Sequence, residues 1–297
     1  MAQTTGQFML ERLVAWGVRR VYGYPGDGIN ALLGGFHHVP ALEFIQVRHE
    51  ELAAFAATAH AKLTGEVGVC LATSGPGAIH LLNGLYDAKL DNQPVVAIVG
   101  QQQRMSLGGA YQQEVDLQSL YKDVASEYLV TVVDPAQARH AVDRAMRIAH
   151  AARSVTAIIV PNDVAEEPHY DPPRAHGAIF SSLGVSDPVV VPAEADLIAA
   201  AQILNAGQRV AILIGQGAAG AAAEVQQVAD VLGAGVAKAL NGKAALPDDL
   251  PYVTGAIGLL GTKPSDHMME RCDTLLMIGT GFPYAEWLPE EGRVRAV

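Results

Sequence analysis

Through most of the chain, short runs of β-branched and other apolar residues alternate with alanine- and leucine-rich stretches of helical period. That alternation leaves few folds open. Strands that read as near-continuous apolar runs are covered on both faces, and a helix between each strand and the next is the crossover that a parallel sheet needs. Strands are expected at Val21–Tyr24, Glu43–Val47, Gly68–Ala72, Val95–Gly100, Tyr128–Val132 and Val155–Val160. Helices are expected at Thr5–Trp16, Glu50–Thr64, Ala78–Leu90 and Pro135–Ala152. Thr4 or Thr5 supplies the N-cap of the first, and Asp134-Pro135 gives the last a cap followed by proline at the first helical position.

After Pro161-Asn162-Asp163 the pattern breaks. The stretch "EEPHYDPPRAHGAIFSSLGVSDPVVVP", residues 166–192, is rich in proline, serine and glycine without sustained period, and reads as a linker. A second alternating unit follows: helix Glu194–Asn205, strand Val210–Ile214, a glycine-rich turn, helix Ala222–Leu232, strand Gly235–Ala239, a glycine-punctuated segment and strand Thr274–Ile278. The fold class is therefore α/β, with two doubly wound, mostly parallel-sheet domains at 1–165 and 193–297. The last residues, "EEGRVRAV", end where Val294–Val297 begins another strand, so the second domain is expected to be incomplete at its C-terminus.

The formal charge of −11 and a pI near 5.3 disfavour a nucleic-acid or anionic-membrane surface, both of which need clustered Lys and Arg. Small-molecule chemistry is the better expectation. "MAQTTGQFMLERL" lacks the basic start and apolar run of a secretory signal, and no charge-free segment reaches membrane length, which implies a cytoplasmic protein. Cys70 and Cys272 stand far apart in apolar runs and read as buried free thiols. The ten histidines form no His-x-x-x-His pair.

Four local patterns carry chemistry. "YPGDGIN" at 24–30 is either a magnesium-diphosphate clamp or a Pro-Gly turn. In "RHEEL", Glu50 and Glu51 suit the positive end of the helix they open. "ATSGPGA" at 72–78 is a strand-to-helix turn whose glycines leave room for a polar ligand at a helix start. Gly215-Gln216-Gly217-Ala218-Ala219-Gly220 is a formal G-x-G-x-x-G between a strand and a helix, but the next strand ends on Lys238 rather than the acidic residue that an NAD ribose requires.

The ordered set "VYGYPGDG", "RHEELAAFAATAHAKLTG", "TSGPGAIHLLNGLYDA" and "YQQEVD" resembles the N-terminal, pyrimidine-binding domain of thiamine-diphosphate enzymes. "LIGQGAAGA", "ALNGKAALP", "GAIGLLGT" and "GTGFPYAEWLP" resemble the central domain of their pyruvate oxidase, pyruvate:quinone oxidoreductase and acetolactate synthase group. The resemblance covers nearly the whole chain and implies the following roles. Glu50 hydrogen-bonds N1′ of the cofactor's aminopyrimidine, a role that wants a dry, apolar pocket. Pro25, Gly26, Thr73, Gly75, Pro76, Gly77 and, more weakly, Asn83 lie along the cofactor. Gln113 matches a glutamine near the active site and is expected, with Glu50, to be catalytic; the residue before it is Gln112 where the group commonly has phenylalanine, so the pocket differs in what it excludes. Gly217, Ala218, Gly258, Gly261, Thr262, Gly279 and Phe282 match flavin-lining positions, with FAD expected.

The resemblance further implies a 2-oxo acid substrate, pyruvate above all, and a homodimer or homotetramer. It also implies a quinone or membrane-surface electron acceptor reached through a region outside this chain. An acetolactate synthase-like carboligase with structural FAD and a non-catalytic cofactor-binding subunit remain as alternatives. In the family, the metal motif's asparagine follows its Gly-Asp-Gly at much longer spacing than Asn30 follows Asp27. "YPGDGIN" is accordingly read as a turn with Asp27 as N-cap, no metal ligand is assigned in this chain, and Mg²⁺ with the diphosphate is expected to be held by a further domain. The chain alone is expected to be inactive.

Overall fold

The computed structural model describes residues 2–297. They divide into two compact units, the first reaching Pro188 and the second spanning Val189–Val297.

The first unit is built on six parallel strands, β1 (Arg20–Gly23), β2 (Glu43–Gln46), β3 (Gly68–Ala72), β4 (Val95–Gln101), β5 (Tyr128–Thr131) and β6 (Val155–Pro161), in the order β2-β1-β3-β4-β6-β5. Its helices are α1 (Thr5–Ala15), α2 (Asn30–Phe36), α3 (Glu50–Thr64), α4 (Pro76–Leu90), α5 (Leu117–Tyr121), α6 (Ala138–Ala152) and α7 (Asn162–Glu166). Every residue of β3, β4 and β6 is buried. Their alternate side chains feed two cores. Val69, Leu71, Val96, Ile98, Ile158 and Val160 join the cluster that includes Leu10 and Val142; Cys70, Ala72, Val95, Val99 and Ile159 join the one that includes Ala57, Leu81 and Tyr121. A sheet covered on both faces in this way explains why these strands read as unbroken apolar runs.

The helix signals act as the local sequence dictates. Thr4 accepts the Gln7 N–H at 3.1 Å to cap α1. Asp134 and Gln137 form a reciprocal capping box ahead of α6, with Pro135 at the first position of the short 3₁₀ turn that leads into the helix. Helix α6 then buries Ala138, Ala141, Val142, Ala145, Met146 and Ala149, one face at helical spacing. One expectation is corrected. The turn "YPGDGIN" leads first into a 3₁₀ segment, Asp27–Ile29, and α2 begins only at Asn30. Asp27 caps neither: Gly26 is the residue before the 3₁₀ turn, and the Asp27 carboxylate accepts the N–H of the adjacent Gly28 at 3.0 Å.

Asp143 on α6 is fully buried and ties that helix to α1. Its carboxylate accepts Arg12 Nε and Nη2 at 2.7 and 2.8 Å, Trp16 Nε1 at 2.7 Å and the Ser181 hydroxyl. Burial alone would raise the carboxyl pKa; the hydrogen bonds from Arg12, Ser181 and Trp16 outweigh it and hold the group below the usual range. A lowered native pKa means stabilisation that is present above the unfolded-chain value of about 4 and is lost as pH falls through the native value. Asp143→Asn is therefore expected to flatten the acid limb of stability below about pH 4, as read from denaturant midpoints across pH; an acid limb as steep as the wild type's would refute this.

Residues 167–188 fold back on the first unit. The His169 ring stacks on Phe8 with centroids 3.5 Å apart, Arg139 grips Asp171, Arg147 donates to the Ser182 carbonyl at 2.6 Å, and His150 meets Asp187 at 2.6 Å.

The second unit is a five-stranded parallel sheet in the order β11-β10-β7-β8-β9, from β7 (Val210–Ile214), β8 (Gly235–Lys238), β9 (Val253–Ala256), β10 (Thr274–Ile278) and β11 (Arg295–Ala296). Its helices are α8 (Glu194–Asn205), α9 (Ala222–Leu232) and α10 (Lys263–Arg271). The segment read only as glycine-punctuated contains β9 and α10. Gly255 in β9 has a φ of +107° and the pairing with β8 is irregular, which hides the strand's period. Among the described residues no helix is long and apolar enough to cross a membrane.

Candidate active site

Open α/β sheets bind ligands at the carboxyl ends of the strands where the winding direction reverses. In the first unit that point lies between β1 and β3, and the turns that follow these two strands meet there. The approach is close: a Cβ on Gly26 would stand 2.5 Å from the Thr73 Cβ. Thr73, buried in the loop after β3, accepts the Gly28 N–H at 3.0 Å through its hydroxyl and so holds the turn in place. The neighbouring Ser74 is also buried, and its hydroxyl accepts the Gln102 side-chain amide at 3.0 Å from the loop after β4.

Glu50 enters from the start of α3. Its preceding residue His49 is the helix N-cap, with ring Nδ1 accepting the Glu51 N–H at 3.3 Å. Glu50 is only 8% exposed, and its Oε2 lies 3.0 Å from His80 Nδ1 on α4. Among the described residues Oε1 has no hydrogen-bond partner. Gly77 keeps the space beside that oxygen clear, since a Cβ there would come within 3.2 Å of Oε1 and 2.7 Å of Thr73 Cγ2. The His49 and His80 rings lie 4.3 Å apart, and Asn83 donates its amide to Glu51.

Gln113 borders the same loop through its backbone. Gly75 has φ +61°, and a Cβ on it would collide with the Gln113 carbonyl oxygen at 2.6 Å. Gln113 itself has φ +62°, an uncommon conformation for a residue with a side chain, and one that concentrates at binding sites. Pro25 and Pro76 are exposed on the two turns, Pro76 at the first position of α4.

In the second unit the winding reverses between β7 and β10, and the glycine-rich segments after them touch. Gly279, at φ +57°, packs so that a Cβ would lie 2.4 Å from the Gly217 carbonyl carbon, and Gly217 N–H donates to the Gly279 carbonyl at 3.0 Å. Gly258 faces the Phe282 ring, which a Cβ would contact at 3.4 Å, and the Gly261 N–H closes on the Gly258 carbonyl at 2.7 Å. Ala218 is buried beneath this edge. Thr262 uses its hydroxyl on the Thr254 carbonyl at 2.6 Å and its N–H on Ala256, so it forms wall rather than a free donor. Lys238 is 1% exposed, with its ammonium donating to the carbonyls of Lys243 and Leu246 at 3.1 and 2.8 Å and pairing with Asp248. The place where a nicotinamide dinucleotide's ribose would need a carboxylate thus holds a lysine already bound within the protein.

Residues 3–120 match the sequence model of the N-terminal TPP binding domain of thiamine pyrophosphate enzymes, and residues 197–294 match that of their central domain. The chain belongs to the thiamine pyrophosphate enzyme family. It is 41% identical over 291 residues to the putative thiamine pyrophosphate-containing protein YdaP of Bacillus subtilis, covering 97% of this chain and 50% of the relative. It is 34% identical over 283 residues to pyruvate oxidase of Lactiplantibacillus plantarum (95% and 46%), and 32% identical over 289 residues to the acetolactate synthase large subunit of Cyanidium caldarium (94% and 48%). The chain spans about half the length of these relatives.

What the residues of this thiamine pyrophosphate family member can hold follows from the geometry. A buried carboxylate with one unengaged oxygen, next to a glycine whose missing side chain leaves a slot, fits a flat heterocycle that presents a hydrogen-bonding nitrogen. The Asp27 carboxylate of the "YPGDGIN" turn accepts the neighbouring Gly28 N–H at 3.0 Å. The motifs had singled out Glu50, the glycine turns and Gln113, which the fold brings to one crevice. They had not pointed to His49, His80, Ser74 or Gln102. His80 sits three residues after Gly77 on α4, and that helical spacing was the one local sign that it shares the Glu50 side.

Proposed function

We propose that this chain is the pyrimidine-binding and central portion of a thiamine-diphosphate-dependent enzyme that decarboxylates a 2-oxo acid, pyruvate first among candidates, and delivers the electrons to FAD. The observation that carries the reading is the buried Glu50 carboxylate with Oε1 unengaged beside Gly77. The similarity to a protein named pyruvate oxidase supports it.

When bound, thiamine diphosphate supplies the carbon that adds to the 2-oxo group and holds the electrons left as carbon dioxide departs. The protein's part is placement and proton handling. Glu50 holds a proton at N1′ of the aminopyrimidine, and His80 fixes the carboxylate's orientation by engaging Oε2 alone. Gly26, Thr73, Gly75 and Gly77 leave a slot in which the ring lies flat, with Pro25, Pro76 and Asn83 at its margins. Gln113 faces the substrate from the strained loop, and Gln112 makes that wall more polar than an aromatic would. Gly217, Ala218, Gly258, Gly261, Thr262, Gly279 and Phe282 would line FAD, which would supply a two-electron acceptor able to be reoxidised by a quinone or another acceptor. The diphosphate and its Mg²⁺ would be held by residues outside this chain, in a cytoplasmic homodimer or homotetramer, with residues 1–297 alone turning nothing over.

A carboligase is the second reading, favoured by the similarity to an acetolactate synthase large subunit. Mixing the assembled enzyme with pyruvate under anaerobic conditions separates the two. Bleaching of the flavin with acetate as product is the expected result; acetolactate with the flavin still oxidised would overturn the oxidase reading.

A further inference from the structure

A second chemistry is available at the mouth of the crevice. His49, Glu50 and His80 each offer a ligand atom, and these atoms lie within 4.8 Å of one another. We propose that the three form a binding site for a divalent transition-metal ion of the Zn²⁺ class.

Two imidazoles and a carboxylate are a donor set that holds Zn²⁺ with one coordination position left open. Nitrogen-rich donors of this kind do not suit Mg²⁺ or Ca²⁺, which take oxygen. Bonds of about 2.1 Å at tetrahedral angles put donor atoms about 3.4 Å apart, so from separations within 4.8 Å closure requires at most about 1.4 Å at any pair. One pair is already close, with His80 Nδ1 and Glu50 Oε2 3.0 Å apart. The adjustment falls on His49, whose side chain is 46% exposed and whose cap to Glu51 is long at 3.3 Å. Its ring already lies against that of His80.

The supports are stiff. His49 and Glu50 open α3, His80 lies in the second turn of α4, and the two helices are packed along their length. The side chain of His80 is 41% exposed and that of Glu50 11%, so an ion enters from solvent and meets a mostly buried carboxylate. The positive end of α3 opposes a cation and weakens binding by a few-fold, about 0.3–1 kcal/mol in an exposed setting. Binding occupies the carboxylate assigned above to the aminopyrimidine. This consequence, though not the site itself, rests on that reading: an ion on Oε2 holds the carboxylate as the anion and so opposes the proton that Oε1 shares with N1′, and Zn²⁺ and thiamine diphosphate should weaken each other's binding.

The test is titration of the protein with Co²⁺, followed by the visible absorption of the four-coordinate ion, and then displacement by Zn²⁺. One ion per chain is expected. His49→Ala and His80→Ala should each weaken binding by at least about tenfold, while His150→Ala, which removes a histidine paired with Asp187 elsewhere, should leave it unchanged. Far-ultraviolet circular dichroism of each variant establishes that it is folded. The proposal is overturned if the wild type gives no four-coordinate spectrum, or if a folded His49→Ala/His80→Ala double variant binds as tightly as the wild type. Thiamine diphosphate should raise the apparent Zn²⁺ dissociation constant of the assembled enzyme. If it does not, while the histidine variants still lose the ion, the metal site stands and the assignment of Glu50 to the cofactor fails.

Discussion

Gly84→Val is expected to destabilise the first unit by about 3 kcal/mol, at the upper end of what overpacking a close contact costs. Gly84 lies where α4 crosses α3, and a Cβ there would stand 2.6 Å from the Ala54 Cβ and 2.7 Å from the Phe55 backbone nitrogen. Backbone cannot step aside as a flexible side chain can, so the helices must separate. The Thr58 hydroxyl bridges the same crossing, donating to the carbonyls of Ala54 at 2.9 Å and Gly84 at 3.2 Å, and that bridge would break as well. Glu50–His80 and Glu51–Asn83 lie on this seam, so a lost crossing also loosens the carboxylate. Urea unfolding checks the expectation: the midpoint should fall with the slope unchanged. Gly34 in α2 is the control, since a Cβ there meets nothing within 4 Å. Gly34→Ala should be neutral or stabilising by up to about 1 kcal/mol through helix propensity. Equal losses at the two positions would contradict the packing account.

Much of the architecture was legible because burial on both faces leaves a strong local mark. Strands β3, β4 and β6 read as unbroken apolar runs, and α6 shows its one buried face in its spacing. Short or interrupted elements left no such mark. Helix α5 has five residues, α7 five, and β9 carries a glycine with positive φ. Residues 167–188 have the composition of a linker, yet their order comes from side chains far away in sequence, Arg139, Arg147 and His150 on α6. No window along the chain contains both partners of such a bond.

The site divides along the same line. Glu50 and the glycine turns stand in contiguous motifs and could be singled out from them. The Glu50–His80 contact spans thirty residues and two helices, and the coming together of His49 with His80 exists only in the folded unit. Asp27 shows the opposite error, in which a familiar local pattern suggested a cap. The packing of the turn against Thr73 makes a 3₁₀ segment there instead, with the Asp27 carboxylate turned on the next peptide.

Glu50→Gln bears most directly on the central claim, that this carboxylate exchanges a proton with the aminopyrimidine. Glutamine keeps the volume and can still meet His80, so the fold and the affinity for the cofactor should be little changed. What it removes is a group able to take up and return a proton, a contribution of about 10²- to 10⁴-fold in general acid–base catalysis. The measurement is the rate at which the C2 proton of thiamine diphosphate exchanges for deuterium in the assembled enzyme, by rapid quench and proton magnetic resonance. A fall of about 10²- to 10⁴-fold relative to wild type is the predicted result; wild-type exchange in a folded, cofactor-loaded Glu50→Gln enzyme would contradict it.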